Sequence, residues 1–336
     1  MSNSTPRVSI GVPVYNGQKY IRFTLDSLLA QTFTDFEVIV TDNCSTDNTP
    51  QIVAEYAQRD PRIRYVRNAV NIGPARNYRV SMDMARGDYF KWNPADDVCA
   101  PTFLERCVKV LDEDPTVVVA YPRTNVIDTN GEVVDRYNYE IDFDLPSPAL
   151  RLWRMMTVNH KEHGAHEMYG LIRLGALRKT PGMRTHVRGD SVLLARLALL
   201  GRFRRIDEYL FFNRDHTDRS SKYLSRKLVR KGSRLSKYLG CGPLPSAEWW
   251  DPSLKGKIVF PEWRVLREYI RAIQETDPLG ATDRFACYRR IALFAAIHSP
   301  KMARDLIIAS EQLINSALGI ADETKEQPAP VAAKTT

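Results

Sequence analysis

Two adjacent acidic residues, Asp96 and Asp97, stand in the stretch NPADDV at residues 93 to 98. The stretch follows the apolar run YFKW, so the two acids come just after the end of a predicted strand. Neighbouring carboxylates repel each other, and a site that keeps both ionised must supply a positive partner. A turn is the simpler interpretation, because Asn, Pro and Asp form turns and Asp97 lies near the start of a helix.

Polar residues follow two earlier apolar runs in the same way. The sequence PVYN at residues 13 to 16 ends the first run, and TDN at residues 41 to 43 ends the second. In a sheet of parallel strands, ligands bind beyond the carboxyl ends of the strands. We therefore expect the three polar clusters to meet at one edge of a sheet.

The first hundred residues alternate short β-branched runs with amphipathic stretches, which predicts strands and helices in turn. Such alternation predicts parallel strands joined by right-handed crossovers. We also expect Gly87 to end the third helix as a C′ glycine. The predicted strands are residues 8–14, 36–40, 63–66 and 89–92, and the predicted helices are 18–31, a segment capped by Ser45 or Asp47, and 74–85.

The pattern changes after residue 115, where strands and helices no longer alternate regularly. Asn130-Gly131 predicts a hairpin with a primed turn over residues 126–134. Everything beyond residue 219 is predicted to be helical until about residue 322, where a polar, Pro- and Ala-rich tail is predicted to be disordered. The other predicted elements are strands at 117–121, 168–172 and 209–212, and helices at 147–158 and from Asp190 to Gly201.

Composition predicts an ordinary soluble protein of the reducing cytoplasm. The 336 residues are 43% hydrophobic, and no apolar run is long enough to span a membrane. The five cysteines are odd in number and form no CxxC pair, which argues against disulfides and zinc. The net charge of +8 is carried by residues 219 to 240, which hold eight Lys or Arg and no acid. A charge so localised argues against a nucleic-acid-binding surface.

The first two-thirds of the chain resembles a family 2 glycosyltransferase of the GT-A fold. The resemblance is carried by VSIGVPVYNGQKYI, DNCSTDNT, NIGPARN, ARGDYFKW, the ADD at residues 95 to 97, GDSVLLARLALLGRF and YLFFNRDH, in that order. It implies a Rossmann-like α/β domain with a mostly parallel central sheet over residues 1–218. Residues 7–115 would form its nucleotide-binding half and 116–218 its acceptor half. A helical extension at 219–321 and the tail at 322–336 would follow.

The resemblance implies a nucleotide-diphosphate sugar as donor and a divalent cation, Mn²⁺ or Mg²⁺, as cofactor. A cation offsets the charge of the leaving diphosphate, and hard cations prefer carboxylate oxygens. Asp96 and Asp97 match the family's acidic motif, and His216 matches a histidine near the donor phosphates. Arg214 or Arg219 would add positive charge there. Position 94, where the motif has its first acid, is a proline, which leaves the coordination of the cation open.

The family pattern also assigns the nucleotide pocket. Asp42 matches the acid that accepts a hydrogen bond from the base, which favours uracil or thymine. Pro13 and Tyr15 match residues that line the base pocket, with simple packing as the alternative for Tyr15. Arg76 matches an arginine near the phosphates, although NIGPARN is shorter than the common form of that motif.

Asp190 matches the general base of inverting enzymes, which takes a proton from the acceptor hydroxyl. A helix N-cap is the alternative. The implied reaction transfers a sugar to a hydroxyl of a saccharide or glycolipid. Two other functions stay open: a non-catalytic nucleotide-sugar binder, because of Pro94, and a sugar nucleotidyltransferase. The loop PVYNGQKY argues against the latter, because nucleotidyltransferases carry a Gly-rich basic loop there.

Two further features allow alternative interpretations. His160, His163 and His166 could contact the acceptor or the solvent, or could hold a second metal, although Gly164 disfavours one continuous helix. The basic segment 222–239 could be an interfacial helix at the inner face of an anionic membrane, or a helix packed on the catalytic domain. The C-terminal helices are expected to bind the acceptor, a membrane or a second subunit, as in a homodimer.

Overall fold

A computed structural model describes residues 5–160, 162–186, 188–217, 254 and 257–318 of the chain. Its strands are β1 Val8–Val14, β2 Phe36–Asp42, β3 Ile63–Arg67, β4 Tyr89–Trp92, β5 Val98–Cys99, β6 Val117–Ile127, β7 Val133–Arg136, β8 Leu171–Arg173 and β9 Arg202–Arg214. Its helices are α1 Ile21–Leu29, α2 Thr49–Arg59, α3 Pro74–Asp83, α4 Phe103–Glu113, α5 Pro148–Met156, α6 Leu174–Arg178, α7 Gly189–Leu200, α8 Pro261–Glu275 and α9 Ala281–Ala317.

The strands form one sheet in the order β3-β2-β1-β4-β8-β6-β9-β5, with β7 paired to β6. The four N-terminal strands are all parallel, as predicted. The second half is mixed, because β8 runs antiparallel to both of its neighbours while β6 and β9 pair in parallel. The α/β fold with a mostly parallel sheet is therefore confirmed, and β8 joins its two halves.

Both faces of the sheet are covered by helices, which explains why β1 and β2 are buried at every residue. Helices α1, α2 and α4 pack on one face, where their apolar residues share a core with alternate residues of the strands. Helices α3, α5, α6 and α7 pack on the other face. Helix α7 is buried almost all round, as its sequence SVLLARLALL requires.

The helical prediction for the C-terminal region is confirmed where the structure describes it, in α8 and α9. Tyr269 of α8 and Phe294 of α9 are buried in the same core as α5 and α7, with their rings edge to face. Arg196 of α7, itself buried, pairs with Glu268 and Glu275 of α8. Helices α5 and α7 therefore share one core with α8 and α9. The basic segment 222–239 and the tail 322–336 lie outside the described residues.

Two local predictions are wrong in detail. The β6–β7 hairpin exists, but its turn is not primed, because Gly131 has a positive φ of 94° while Asn130 is not left-handed. Asp128 instead organises a longer turn by accepting hydrogen bonds from the amides of Asn130 and Glu132. Gly87 does not end α3, which finishes at Asp83. Gly87 is needed because a Cβ there would lie 2.7 Å from the carbonyl oxygen of Arg7.

Two strand boundaries also differ from the predictions. The stretch predicted as a strand at 168–172 begins as a 3₁₀ turn, His166–Tyr169, and becomes strand only at Leu171. The final strand is 13 residues long rather than four, because β9 pairs with β6 along almost its full length. The first and last residues of a strand depend on its pairing with neighbouring strands, so the residue pattern of that strand alone does not predict them.

Candidate active site

The carboxyl ends of β1, β2 and β4 lie side by side, which brings the three predicted polar clusters together. Val14 pairs with Asp42, and the amide of Asn43 donates to the carbonyl of Val14 at 2.8 Å. The amide of Asn93, directly after β4, donates to the carbonyl of Gly11 at 2.9 Å. The expectation of one polar edge is confirmed.

Asp96 and His216 meet at this edge although 120 residues separate them. Oδ2 of Asp96 lies 2.9 Å from Nε2 of His216, and their side chains are 31% and 8% exposed. Strand β9 carries the histidine there, because Phe212 pairs with Val98 just beyond the two acids. The ring of Tyr20 packs on the imidazole at 4.8 Å and fixes its position.

Asp97 points away from Asp96 and into the protein, where it is 1% exposed. Its carboxylate accepts hydrogen bonds from Nδ2 of Asn213, at 3.0 and 3.2 Å, and from the amide of Arg214 at 2.7 Å. These donors from β9 offset the cost of keeping two neighbouring carboxylates. Asp97 therefore ties the loop after β4 to the end of β9, and Asp96 is the one of the pair that faces the open edge.

Arg214 is also buried, with its guanidinium directed at main-chain carbonyls. Its Nε donates to the carbonyl of Asp96 at 3.0 Å and its Nη1 to that of Asp128 at 2.8 Å. The guanidinium stacks on Tyr20 and Phe23. These contacts hold the backbone of the acidic loop. Arg219, the other arginine considered, lies outside the described residues.

Asp42 lies at the predicted edge but is fully buried. Its Oδ1 accepts from the amide of Ser45 and its Oδ2 from the hydroxyl of Tyr65, each at 2.8 Å. Arg67 lies 3.5 Å from the same carboxylate. Burial and the Asp42 contact raise the pKa of Tyr65, so this phenol stays protonated as a donor. Asp42 thus holds the amide of Ser45 and the hydroxyl of Tyr65 in place, while the side chain of Arg67 extends to solvent.

The sequence interpretation missed Tyr65 and Arg67. They are alternate residues of β3, so their side chains leave the same face of the strand. Strand β3 pairs with β2 in a register that sets Arg67 opposite Asp42. The sequence predicts that Tyr65 and Arg67 lie on the same face of a strand. It does not predict the register of β3 against β2, which sets Arg67 opposite Asp42.

The other residues predicted to contact the nucleotide are Pro13, Tyr15 and Arg76. Pro13 lies within β1 opposite Thr41, and Tyr15 is 51% exposed just after the strand. Arg76 is exposed on the first turn of α3. This helix begins after Gly73, which has a positive φ of 83°. Buried Asn77 braces the same loop, because its Nδ2 donates to the carbonyl of Thr41 at 2.7 Å.

Asp190 lies in the first turn of α7, where its carboxylate accepts from the amide of Ser191 at 2.7 Å. The helix N-cap is Arg188, so Asp190 is not the N-cap residue. A carboxylate at this position is also favoured by the positive end of the helix dipole. One carboxylate oxygen of Asp190, Oδ1, is therefore hydrogen-bonded to the backbone of its own helix.

The phenols of Tyr78 and Tyr169 are affected by the charges of the site's acids. Burial raises the pKa of Tyr78, and the charges of Asp96, Asp97 and Asp190 raise it further. Burial and the same three carboxylates also raise the pKa of Tyr169. The charges of all three carboxylates therefore oppose ionisation of both phenols. The sequence interpretation missed both tyrosines, because nothing distinguishes their pattern from ordinary core packing.

The three histidines at 160, 163 and 166 do not form a cluster of ligands. Nε2 of buried His163 pairs with Oε2 of Glu167 at 3.0 Å. Burial, followed by the charge of Arg188, lowers the pKa of His160 to about 3, so it is neutral at pH 7. Across the described part of the chain, no three His, Cys, Asp or Glu side chains are grouped so as to hold a metal ion.

None of the helices in the described ranges has the length and hydropathy needed to cross a membrane.

The sheet and the helices that cover it are those of a glycosyltransferase of the GT-A fold. The family model for Glycosyl transferase family 2 matches residues 9–180, about half of the chain. The chain therefore belongs to glycosyltransferase family 2, as the sequence motifs indicated.

Curated relatives are similar over parts of the chain. It is 26% identical over 222 residues to a hyaluronan synthase of Pasteurella multocida, covering 65% of this chain and 21% of that protein. It is 36% identical over 138 residues to a chondroitin synthase of Escherichia coli, covering 40% of this chain and 20% of that protein. The chain thus spans about a fifth of the length of these relatives.

Solved structures are similar over nearly the whole chain. Residues 1–349 of S. aureus TarS in complex with UDP superimpose with a TM-score of 0.54 at 18% identity, covering 93% of this chain and 92% of that one. The same part of TarS in complex with UDP-GlcNAc superimposes equally well, with a TM-score of 0.54. At this identity the likeness shows the shared fold.

Proposed function

We propose that the protein is an inverting glycosyltransferase that transfers a sugar from a nucleotide-diphosphate donor to a hydroxyl of a saccharide or glycolipid. The observation that carries the proposal is the contact of Asp96 with His216 at the polar edge formed by the carboxyl ends of β1, β2 and β4. The matched hyaluronan and chondroitin synthases support a saccharide acceptor by their names.

A UDP- or dTDP-sugar is the proposed donor. Asp42, Pro13 and Tyr15 would surround the base, and Arg76 would lie near the phosphates. Because Asp42 is buried, we assign it the role of orienting Arg67, whose guanidinium donors suit the carbonyl oxygens of a pyrimidine base. The UDP and UDP-GlcNAc complexes of TarS agree with a uridine donor.

Asp96 and His216 are the proposed holders of a divalent cation, Mn²⁺ or Mg²⁺. Their Oδ2 and Nε2 atoms converge within 2.9 Å, and carboxylate with imidazole is a donor set that Mn²⁺ accepts. When bound, the cation would offset the negative charge that develops on the departing diphosphate. Asp97 and Arg214 would act by fixing the loop that presents Asp96.

Asp190 is the proposed general base. Its Oδ1 accepts from the amide of Ser191, which leaves Oδ2 to take the proton of the acceptor hydroxyl. The hydroxyl oxygen forms its bond to the anomeric carbon while the bond to the diphosphate oxygen breaks on the opposite face, which inverts the configuration. Burial and the nearby carboxylates raise the pKa values of Tyr78 and Tyr169, so both phenols stay protonated.

Calorimetric titration of UDP, dTDP and GDP, with and without Mn²⁺, tests the donor site. We expect one of the two pyrimidine nucleotides to bind with metal dependence in the wild type and to lose that dependence in Asp96→Ala. Asp88→Ala is the matched control, because Asp88 is an exposed acid at the opposite end of β4. A nucleotide affinity that is unchanged by Mn²⁺ and by the Asp96 substitution would contradict the proposed cation site.

A non-catalytic nucleotide-sugar binder is the second candidate. Two observations favour it: Pro94 replaces the first acid of the motif, and Asp97 is turned into the protein. Both candidates predict metal-dependent nucleotide binding, so turnover separates them. Release of UDP from UDP-sugars across a panel of saccharide and glycolipid acceptors supports the transferase, whereas binding without release on every acceptor supports the binder.

A further inference from the structure

The start of α7 is tied to α8 by one ion pair. Nη2 of Arg188 lies 2.7 Å from Oε1 of Glu262, and Nη1 lies 3.4 Å from Oε2. The side chains of Arg188 and Glu262 are 19% and 8% exposed, so the pair is largely shielded from water. A contact at two points fixes the direction of both side chains as well as their distance. The pair therefore holds Arg188, the N-cap residue of α7, against the first turn of α8.

Arg188 has a backbone conformation that needs such support. Its φ is 60°, in the left-handed region that residues other than glycine seldom adopt. A residue keeps such a conformation only where the surrounding structure holds it there. The carbonyl of Arg188 also accepts a hydrogen bond from the amide of Val192 at 3.0 Å, which closes the first turn of α7. The direction in which α7 begins thus depends on Arg188.

The carboxylate of Asp190 depends on the same few backbone residues. Within the described part of the chain, its hydrogen bonds come from Ser191 alone, through the amide at 2.7 Å and the hydroxyl at 3.5 Å. The neighbouring residue of the same helix supplies both donors, so they do not anchor the carboxylate to the rest of the protein. The place of this carboxylate is therefore set by the backbone from Arg188 to Ser191.

The first turn of α8, which carries Glu262, is itself fixed by α9. The amide of Glu262 donates to Oδ2 of Asp305 at 2.9 Å, and Asp305 is fully buried. The indole of Trp263 donates to the carbonyl of Met302, also in α9, at 3.1 Å. The first turn of α8 thus contacts α9 on one side and Arg188 on the other. These contacts connect α9, through α8, to the start of α7.

From these contacts we propose that Glu262 and Arg188 are positioning residues for Asp190. The inference rests on the proposed function, because it assigns both residues a role in that reaction. Glu262 holds Arg188, Arg188 sets the start of α7, and α7 presents the carboxylate of Asp190 to the acceptor hydroxyl. Helices α8 and α9 lie beyond residues 9–180, which the family model matches, and on this proposal they are needed for catalysis.

A second ion pair between α7 and α8 provides a matched control. Glu268 of α8 pairs with Arg196 of α7 at 3.4 Å, and its side chain is 5% exposed. Arg196 is about 12 Å farther along α7 than Arg188, at 1.5 Å rise per residue. In Glu268→Gln, Arg196 keeps its contact with Glu275 at 2.7 Å. Glu262→Gln and Glu268→Gln thus each remove the charge of a buried glutamate at one interface, but only the first loosens the start of α7.

Steady-state transfer kinetics compare the two variants, with UDP-sugars as donors and the panel of saccharides and glycolipids as acceptors. The kcat of Glu262→Gln should fall by about 10- to 100-fold, since a displacement of about 1 Å at a reacting group costs about 10²-fold. The KM for the donor should change by less than about twofold, because other elements form the donor site. Glu268→Gln should keep the wild-type kcat at a temperature where both variants are folded.

A double-mutant cycle with Asp190→Asn separates positioning from a loss of folding. Glu262→Gln should lower the kcat of Asp190→Asn by less than about twofold, because the base that it positions is already removed. Arg188→Lys, which keeps a cation beside Glu262, should retain more of the kcat than Arg188→Met. An equal fold-loss of kcat on adding Glu262→Gln to the wild type and to Asp190→Asn would overturn the proposal.

Hydrogen exchange tests the positioning without any substrate. The amides of Gly189, Ser191 and Val192 are all hydrogen-bonded at the start of α7. In Glu262→Gln they should exchange at least about tenfold faster than in the wild type, because local opening of this turn becomes easier. Glu268→Gln should leave their exchange unchanged. Mass spectrometry of peptides from this region measures the rates, and unchanged rates in Glu262→Gln would overturn the proposal even if no acceptor is turned over.

The inference and the proposed function fail in different ways. A wild-type kcat in Asp190→Asn would overturn the assignment of the base and, with it, this inference. A large loss of kcat in Asp190→Asn with a wild-type kcat in Glu262→Gln would overturn the positioning alone. A raised KM for the acceptor at unchanged kcat in Arg188→Met would also overturn it, because Arg188 would then contact the acceptor directly.

Discussion

At the scale of single residues, the two neighbouring acids Asp96 and Asp97 have different surroundings. Asp96 faces the open edge beside His216, while Asp97 is held by donors from β9. The sequence predicted the residue types and, through the family resemblance, the meeting of Asp96 with His216. It did not predict that Asp97 would turn inward, because that direction depends on Asn213 and Arg214 more than a hundred residues away.

Replacing Asp190 by Asn should lower kcat by about 10²–10⁴-fold, because the amide cannot accept the proton of the acceptor hydroxyl. Nucleotide affinity should be unchanged, since Asp190 belongs to the acceptor side. Transfer assays combined with UDP titration measure both quantities. A variant that keeps its kcat would leave Asp190 with a helix-stabilising role alone.

Glu167 should make the stability of the protein depend on acid pH. Burial opposes ionisation of this carboxyl, but the hydrogen bond and charge of His163 outweigh it and hold the pKa of Glu167 below its usual 4.5. A lowered pKa stabilises the folded state above the unfolded value, and this contribution is lost as pH falls through the folded value. The free energy of unfolding should therefore exceed that of Glu167→Gln at pH 6.

The difference between the two proteins should shrink as the pH is lowered from 6 to 3. Urea unfolding at several pH values measures it, and Glu162→Gln, at an exposed position in the same loop, is the control. A difference that stays constant over this range would mean that the ionised form of Glu167 is not the stabilising species.

At the scale of elements, the sequence predicted the strands and helices of the first half well. Buried parallel strands have continuous apolar runs, so β1 and β2 were recognisable without knowledge of their neighbours. Strand β9 was predicted too short, because Phe203 is the one buried residue in its first half and its limits follow from pairing with β6. The β6–β7 turn and Gly87 likewise depend on contacts that lie outside their own sequence.

Gly87→Ala should destabilise the sheet by about 1–3 kcal/mol, because its Cβ would meet the backbone of Arg7 and Ser9 rather than a movable side chain. Gly175→Ala is the matched control in α6, where a Cβ meets nothing within 4 Å. The control should be neutral or up to about 1 kcal/mol more stable, since Ala favours helix. Equal unfolding free energies for both variants would contradict the close approach at Gly87.

At the scale of the whole molecule, α8 and α9 are part of the core rather than an appended tail. Their helical character was predictable from composition, but their contact surface was not, since it depends on α5 and α7. The buried Arg196 of α7 is the main polar link, paired with Glu268 and Glu275 of α8.

Arg196→Met should cost about 3–5 kcal/mol of unfolding free energy, because it leaves the charge of Glu268 buried without its closest buried cation. Arg271→Met removes the half-exposed partner of the same glutamate and should cost less than about 1 kcal/mol. Urea denaturation compares the two variants. Similar losses would show that burial of the α7–α8 ion pair is not what holds the helices to the domain.

Helix α7 and strand β9 are separated by a single residue, Gly201, and they carry Asp190 at one end and His216 beyond the other. This arrangement has a consequence for biosynthesis. A nascent chain that has left the ribosome up to residue 188 contains both acids of the loop after β4 and every proposed nucleotide contact, but neither Asp190 nor His216. The residues proposed to surround the base can therefore be assembled during translation, whereas the proposed cation site, and with it metal-dependent binding and catalysis, has to wait until residue 216 has emerged.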